Sequence, residues 1–513
     1  MTAPTNMKSY AVVGFSGRFA AMLITFVALY MLLSIAVGLY AARKVHSSAD
    51  YVVAGRSLPL YITMATVFAT WFGSETVLGI SSTFIDEGLG GIIADPFGAG
   101  MCLILVGLLF AKPLYRMKLL TISDFYKRKY GRPTELAVSI FICISYLGWV
   151  SAQIVALGLV FNIVTFDALS IEMGMVVGLA IVLFYTFFGG MFSVAMTDFM
   201  QMIIILIGMT IVAFFVSGKI DGGAMAVIDH AIAADKFSGF FPDLTLPAIL
   251  AFVAAWVTMG FGSIPQQDVF QRVMSAKDEK TAVRGSVLGG SFYIIFAFIP
   301  IFLGYSAFLI DAETSAKLME EDSQRILPSM ILTHTPVWVQ VMFFGALLSA
   351  IMSTASGTLL APSVVFAENI LKPLLPPHMA DKKLLHMIRG TVVGFSGLVL
   401  VYAFNSERDI FSMVEDAYKV TLAGAFVPLA AGVYWKRANT AGATLSIILG
   451  VGTWLLMEKF SPEGEGICPP QLAGLGAAII GMIIGGYIGR PAGTEPHHQE
   501  QARQEQSQEE VKS

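Results

Sequence analysis

Long apolar stretches recur along the whole sequence, and they constrain its fold more than any other feature. A helix needs about 20 mostly apolar residues to cross the hydrocarbon core of a bilayer. Thirteen stretches meet this length, near 20–42, 58–86, 90–114, 136–166, 172–190, 197–217, 246–272, 284–310, 336–371, 384–404, 410–435, 439–458 and 472–490. Only 13% of the residues are charged, whereas a soluble domain carries about 25%. We therefore predict an all-α, multi-pass protein of the cell membrane (inner or plasma membrane) with 13 transmembrane helices.

The loops between these stretches differ in charge. Lys and Arg are concentrated in the loops after the first, third, seventh, ninth and eleventh stretches, and the opposite loops are poorer in them. Because cytoplasmic loops carry the excess of basic residues, we expect the N-terminus outside and the C-terminus in the cytoplasm. The predicted organisation is an extracellular N-terminus (1–19), one transmembrane domain (20–490) and a cytoplasmic tail (491–513). The tail is rich in Gln and Glu, so we expect it to be disordered.

The second apolar stretch is interrupted in its middle. Where an ordinary membrane helix carries Leu, Ile or Val, this stretch has Gly73, Ser74 and Glu75, preceded by Trp71 and Phe72. Glycine beside polar residues weakens a helix and exposes backbone carbonyls. In a membrane, such backbone is tolerated only against protein or a water-filled cavity, and an ionisable residue there indicates a functional site. We predict a broken helix at this point.

The seventh stretch contains a similar interruption, because two glycines and a proline lie within 260–268. The two interruptions are five spans apart, an odd number, so the two copies have opposite orientations in the membrane. Interrupted helices in corresponding positions of two halves indicate the binding site of a secondary transporter. We therefore predict inverted repeats over about 58–217 and 246–435.

A possible cation site lies in the ninth stretch. Ser353 and Thr354 follow Ala350 by three and four residues, so all three share one helix face. A small hard cation is bound by several oxygens, and carbonyls freed near Ala69 and Phe72 would complete its shell. The alternative is that these small and hydroxylated residues serve helix packing.

Other polar residues in the apolar stretches have two or more interpretations. Asp198 begins the sixth stretch, either as an interfacial helix start or as an acid on an ion route. Glu75 would bind solute, take a proton or pair internally, and the ring of Trp71 could hold a cationic group. The segment 415–419 contains two acids and a lysine that we interpret as an internal charge network or gate.

Polar residues at the two interruptions are candidates for solute contacts. Ser74 lies at the first one, and Gln266 and Gln267 lie at the second. Asp268 and Arg272 follow one turn apart, so we expect them to pair.

Several classes of function are not supported. The three cysteines and seven histidines show no metal or redox spacing, and no nucleophile–base set indicates an enzyme. The sequence has no basic patch mixed with aromatic residues, so we expect no nucleic acid partner. No obligate protein partner is evident, and the expected partners are a small solute, an ion and the lipid bilayer.

Five ordered motifs make the sequence resemble the sodium:solute symporter family, over about residues 20 to 460. They occupy 69–79, 121–131, 189–201, 262–272 and 350–354. The resemblance implies the leucine-transporter-like fold, a five-plus-five inverted repeat with two broken helices, and sodium-driven uptake.

The resemblance also implies a sodium site. The common site of the family falls on the carbonyls of Ala69, Phe72 and Ala350 and on the hydroxyls of Ser353 and Thr354. All five positions match in type.

A second sodium site in some members of the family uses an acid that matches Asp198, together with two consecutive serines. Here those two positions are Ser356 and Gly357. Within the family, the motifs are most similar to the high-affinity choline transporter branch, where Trp71 matches an aromatic residue of the choline cage. Gln266 stands where that branch has another tryptophan.

The function that this resemblance implies is sodium-coupled symport. The chain would import a small polar organic solute by alternating access, with sodium as the coupling ion and the only metal ion expected. A choline-like amine, an amino acid such as proline, and a carboxylate remain open as solutes. The alternatives are a proton-coupled carrier that titrates Glu75 or Asp198, and a membrane sensor built on the transporter fold.

Overall fold

The computed structural model describes residues 17–376, 379–406, 410–461 and 466–489, and these residues are almost entirely helical. The first eleven helices are α1 (Gly17–Ala42), α2 (Ser48–Val53), α3 (Leu60–Trp71), α4 (Ile80–Glu87), α5 (Ala99–Leu105), α6 (Ala111–Arg116), α7 (Ser123–Tyr130), α8 (Arg132–Val164), α9 (Ile171–Ser217), α10 (Gly223–Ala233) and α11 (Leu246–Gly262). The others are α12 (Gln267–Met274), α13 (Glu279–Ile310), α14 (Ala312–Glu321), α15 (Ile326–His334), α16 (Val337–Val365), α17 (Asp381–Asn405), α18 (Ile410–Thr421), α19 (Val427–Tyr434), α20 (Thr440–Phe460) and α21 (Pro470–Ile488).

Ten helical segments of the described residues are long and apolar enough to cross a membrane, or eleven if the bent pair α11 and α12 is one span. The prediction of an all-α membrane protein is therefore confirmed. Two of these segments, Glu75–Arg116 and Ile171–Ser217, are 42 and 47 residues long, about twice what one crossing needs. The count of 13 and the orientation stay predictions. Most of the predicted extracellular N-terminus (1–16) and the whole predicted tail (491–513) lie outside the described residues.

The predicted interruption of the second stretch is present. Helix α3 ends at Trp71, and Phe72 has φ −76° and ψ 73°, which is not helical. The chain is helical again from Ser74, first through a wide π-helical turn (Glu75–Gly79) and then through α4. We call Phe72 and Gly73 the first break.

The interruption of the seventh stretch is also present. Helices α11 and α12 are bent by 51° relative to each other, and the four residues 263–266 between them form what we call the second break. Pro265 within it has no N–H to continue a helical ladder.

The fifth and sixth predicted spans follow each other without a loop. We predicted separate helices over 172–190 and 197–217, and α9 consists of two helices that meet at a kink at Gly190, so that the second helix includes residues 191–196. Only Gly190, at φ 48° and ψ −136°, departs from helical geometry. Such a φ is open to glycine, and a Cβ there would lie 2.3 Å from the carbonyl oxygen of Tyr51. The interpretation of Asp198 as a helix start is wrong, because the second helix of α9 begins directly after the kink at Gly190 and Asp198 lies about two turns further on.

Helix α16 lies at the centre of the bundle. Every residue from Ala346 to Val365 is buried, and the helix packs against α3, α8, α9 and α12. No face of this part of α16 is left for lipid. Peripheral helices such as α1 instead expose large apolar side chains, including Phe26, Leu29 and Leu32, as expected for a surface in contact with lipid.

Candidate ion and solute site at the first break

The centre of α16 meets the end of α3 at the hydroxyl of Thr354, and the hydroxyl of Ser353 precedes it on the same helix. The Thr354 hydroxyl donates to the carbonyl oxygen of Ala69 over 3.1 Å. The Ser353 hydroxyl donates to the carbonyl oxygen of Ala350 over 2.8 Å. All four residues are at most 1% exposed. Two hydroxyls and two carbonyls therefore lie together in the protein interior, and they are oxygens of the type that a small hard cation binds.

Phe72, the fifth residue of the predicted sodium site, forms the break itself. Its ring stacks on Phe68 at 4.9 Å between centroids and contacts Phe296 at 5.5 Å. These contacts fix the position of the side chain while the backbone leaves the helix. Its N–H still donates to the carbonyl oxygen of Phe68 over 3.3 Å.

Gly73 is required because polar atoms approach it closely. A Cβ at this position would lie 2.6 Å from Oε2 of Glu75, 2.8 Å from Oγ1 of Thr354 and 3.0 Å from Oε1 of Gln153. The absence of a side chain lets three polar groups from three different segments converge on the break.

Gln153, on α8, holds the chain where the helix restarts. Its Nε2 donates to Oε2 of Glu75 over 2.7 Å. Its Oε1 accepts from the backbone N–H of Ser74 over 3.1 Å and from the Ser74 hydroxyl over 3.0 Å. The other carboxylate oxygen of Glu75, Oε1, is buried and has no hydrogen-bond partner among the described residues. An unpaired buried acid oxygen is costly, so it is available to a ligand.

Four aromatic side chains, which we call the aromatic cluster, surround the end of α3. Trp71 stacks on Trp149 at 5.1 Å and contacts Tyr418 at 5.1 Å, and Tyr146 stacks on Trp149 at 5.7 Å. All four are buried. The faces of Trp71 and Trp149 stack directly on each other, so no cation lies between these two rings in this conformation.

The two glutamines of the second break have different surroundings. Gln266 donates through Nε2 to the hydroxyl of Ser145 over 3.1 Å and to that of Thr421 over 3.3 Å. Gln267 lies instead against the start of α7, where its Oε1 accepts from the backbone N–H of Ile122 over 2.8 Å. Only Gln266 faces the α8 and α18 helices that carry the aromatic cluster.

Arg272 lies fully buried between two acids. Its Nη1 is 3.1 Å from Oδ2 of Asp268, which confirms the predicted pair, and its Nη2 is 3.5 Å from Oδ2 of Asp198. The guanidinium also donates to the carbonyl oxygen of Ser353 over 3.3 Å. The Tyr146 hydroxyl donates to Oδ1 of Asp268. Buried charges need such partners, so this network joins α9, α12, α8 and α16.

Gly357 provides the space for this guanidinium. A Cβ at Gly357 would lie 2.2 Å from Nη2 of Arg272. Ser356 turns its hydroxyl to the carbonyl oxygen of Ser353, 3.1 Å away. Asp198 therefore faces the guanidinium of Arg272. A second serine in place of Gly357 would put a side chain where this guanidinium lies.

The predicted charge network of the eleventh span is present in part. Nζ of Lys419 lies 3.1 Å from Oδ1 of Asp416, and the lysine side chain is only 8% exposed. Both residues lie on α18, beside Tyr418 of the aromatic cluster.

Sequence reasoning missed four buried residues near the first break: Gln153, Trp149, Tyr418 and Asp95. Each is a polar or large aromatic residue inside an apolar stretch, and this signal was available in the sequence. What the sequence did not indicate is that they converge from different spans.

The comparisons with known proteins agree with this geometry. The model of the sodium:solute symporter family matches residues 51–450, which is more than half of the chain. This chain belongs to the sodium:solute symporter family. The expectation from its motifs is thereby confirmed.

Curated members with similar sequences transport different solutes. The chain is 27% identical over 448 residues to "High-affinity choline transporter 1" of Caenorhabditis elegans, covering 82% of this chain and 75% of that protein. It is 27% identical over 434 residues to "High-affinity proline transporter PutP" of Bacillus subtilis, covering 82% and 89%. The names of these relatives support a transporter rather than an enzyme.

A solved structure shares the fold. The structure of a Na⁺-coupled sialic acid symporter in a substrate-bound outward-open state matches with a TM-score of 0.78. The match covers 92% of this chain and 98% of that chain at 20% sequence identity.

Proposed function

We propose that this member of the sodium:solute symporter family imports a small organic cation together with one sodium ion, by alternating access. The observation that carries the proposal is the contact between the first break and α16. It joins the Ala69 carbonyl, at the end of the broken helix, to the buried hydroxyl of Thr354, which lies next to that of Ser353 on α16.

The sodium ligands are the carbonyls of Ala69, Phe72 and Ala350 and the hydroxyls of Ser353 and Thr354. The two hydroxyls now donate to two of these carbonyls. When sodium binds, each hydroxyl rotates its proton away and turns a lone pair to the ion. The ion then replaces two hydrogen bonds by coordination with the same oxygens.

The solute site lies beside this ion and uses Trp71, Ser74, Glu75 and Gln266. The buried, unpartnered oxygen of Glu75 and the faces of the aromatic cluster favour a positively charged group. A choline-like amine meets both requirements, and the ammonium group of an amino acid meets the first. A carboxylate solute would face Glu75 and is disfavoured. We assign Gln267 to the support of α7, because it is bonded to Ile122.

A single sodium ion is proposed because Arg272 neutralises Asp198. A cation that competes for this acid would have to displace a fully buried guanidinium. Asp198 then serves to hold Arg272, and Ser356 bonds to the Ser353 carbonyl that Arg272 also contacts, so neither binds a second ion.

Alternating access requires that the transport pathway close at one end at a time. We propose that Arg56 lies at such a closed end. Its guanidinium donates to the carbonyl oxygens of Leu119 over 2.7 Å and Met274 over 3.3 Å. The backbone of Leu58 also pairs with residues 275 and 277. These contacts join the start of α3 to the end of α12. We assign this end of the pathway to the cytoplasm. The proposed topology has thirteen spans, an N-terminus outside the cell and two inverted repeats.

The energetics favour strong accumulation. Moving one positive charge inward through 100 mV yields about 2.3 kcal/mol, and a tenfold sodium gradient adds about 1.4 kcal/mol. Together they support accumulation of several hundred-fold for a neutral or zwitterionic solute. A cationic solute gains further from the potential.

The experiment is solute uptake into proteoliposomes with an imposed inward sodium gradient. The panel contains choline, proline, a neutral sugar and a monocarboxylate, and a matched set of vesicles receives a proton gradient without sodium. We expect sodium-dependent uptake of the cationic member. Uptake that follows the proton gradient and ignores sodium would contradict the proposal and favour a proton-coupled carrier.

A further inference from the structure

A buried chain of hydrogen bonds runs from the third predicted span to the first break. Asp95 lies at a non-helical position (φ −137°, ψ 123°) within the segment Ile93–Gly98. The Tyr293 hydroxyl, on α13, is bonded to Oδ1 of Asp95. The Thr76 hydroxyl lies 3.0 Å from the Tyr293 hydroxyl and donates to the carbonyl oxygen of Trp71 over 2.7 Å. The side chains of all four residues are fully buried.

The hydrogen-bond chain has more links than its two hydroxyl groups have protons. The chain has three links, and its last member, the Trp71 carbonyl, can only accept. Thr76 has one hydroxyl proton, which it gives to that carbonyl, and Tyr293 has one, which it gives to Thr76. Tyr293 can donate either to Asp95 or to Thr76 but not to both, so all three links form together only when a protonated Asp95 supplies the third proton.

The surroundings of Asp95 also disfavour a negative charge. Its second oxygen, Oδ2, is buried and has no hydrogen-bond partner among the described residues. Of the segments that pack against Ile93–Gly98, α11 has no ionisable side chain and α5 has only Cys102. The remaining titratable neighbours are Glu75 and Tyr293.

The described segments around Asp95 place no basic side chain beside this acid. The lysine and arginine of α13 nearest in sequence to Tyr293 are Lys280 and Arg284, two or more helical turns away. The segment 88–98 and helix α3 contain neither Lys nor Arg. An ionised Asp95 would therefore be a second buried acid near Glu75 without a counter-ion, which is costly.

We propose that Asp95 is a proton-binding site. In this conformation Asp95 is protonated, and its proton completes the hydrogen-bond chain through Tyr293 and Thr76 to the carbonyl of Trp71. Loss of the proton removes one hydrogen bond of this chain. The end of α3 is then no longer connected through the chain to the third predicted span. The site binds a proton taken from water, and it is separate from the oxygens assigned to sodium.

The test is infrared absorption of the purified protein in lipid near neutral pH, with no solute added. A protonated carboxyl group has a carbonyl stretch that is separate from the bands of a carboxylate. We expect the difference spectrum between wild type and Asp95→Asn to show the loss of one protonated carboxyl band. Glu75→Gln, measured in the same way, identifies any band that belongs to Glu75. Loss of carboxylate bands in Asp95→Asn, with the protonated region unchanged, would overturn the proposal.

A second variant covers the case in which Asp95→Asn does not fold. Tyr293→Phe keeps the acid but removes the acceptor of its proton, so the carboxyl band should shift in frequency. An unchanged carboxyl region in a folded Tyr293→Phe protein would also overturn the proposal. Neither measurement uses sodium or solute, so this result is independent of the proposed transport function.

Discussion

Replacing Thr354 by valine removes one hydroxyl from the proposed sodium site and keeps the shape of the side chain. The hydroxyl contacts the Ala69 carbonyl over 3.1 Å in a fully buried position. An interaction between such a group and a charged partner contributes about 1.5–3 kcal/mol. Since about 1.4 kcal/mol corresponds to a factor of ten, we expect the dissociation constant of sodium to rise about 10- to 100-fold.

The assay is thermal unfolding of the purified protein at a series of sodium concentrations, with choline-free, sodium-free buffer as the reference. A ligand present at 100 times its dissociation constant stabilises the folded state by about 2.7 kcal/mol. If the constant of Thr354→Val is tenfold higher, the same sodium concentration gives about 1.4 kcal/mol or less. The sodium-dependent shift of Tm should therefore fall to half or below.

Two controls separate this effect from general damage. Thr354→Ser keeps the oxygen and should keep most of the sodium response. Thr258→Val makes the same chemical change at a buried hydroxyl of α11 that bonds within its own helix, and it should leave the sodium response unchanged. A Thr354→Val protein with the sodium response of wild type would refute the assignment of the site.

Three further variants and one control variant test other parts of the proposal. Gly73→Ala places a methyl group within 3 Å of the site's polar atoms, and it should abolish both the sodium-dependent Tm shift and uptake. Gly345→Ala, where a Cβ meets nothing within 4 Å, should change neither; equal behaviour of the two would contradict the role of the close approach. Gly357→Ser must displace Arg272 from two buried acids, and breaking a buried pair costs about 3–5 kcal/mol, so the sodium-free Tm should fall by several degrees; an unchanged Tm would show that the guanidinium is not held there. Trp149→Leu removes one wall of the aromatic cluster, and it should raise the KM for a cationic solute about tenfold or more without changing the sodium response; an unchanged KM would place the solute elsewhere.

The sequence predicts the two breaks and the ligands on either side of the first one, because each is a local departure from an apolar pattern. Gly73 beside Glu75, or Pro265 after two glycines, has no function in an ordinary membrane helix. The hydroxyls of Ser353 and Thr354 were placed on one face by helical periodicity alone.

The rest of the site depends on contacts between spans that are far apart in sequence. Gln153 meets Glu75 across 78 residues, and Tyr293 meets Asp95 across 198 residues. Nothing local to either residue indicates its partner, since apolar helices carry occasional polar residues for packing. The boundary inside α9 is a related case. The apolar pattern predicts separate helices over 172–190 and 197–217, and the structure joins them at a kink where Gly190 has a positive φ.

The central claim is that a sodium ion held between the first break and α16 drives solute import. The most direct measurement is the uptake of radioactive sodium and of the solute into the same proteoliposomes, with the membrane potential held at zero. The account predicts that solute stimulates sodium entry in a ratio of one to one, and that Thr354→Val shifts both uptakes to higher sodium concentration. Solute entry without accompanying sodium would contradict it.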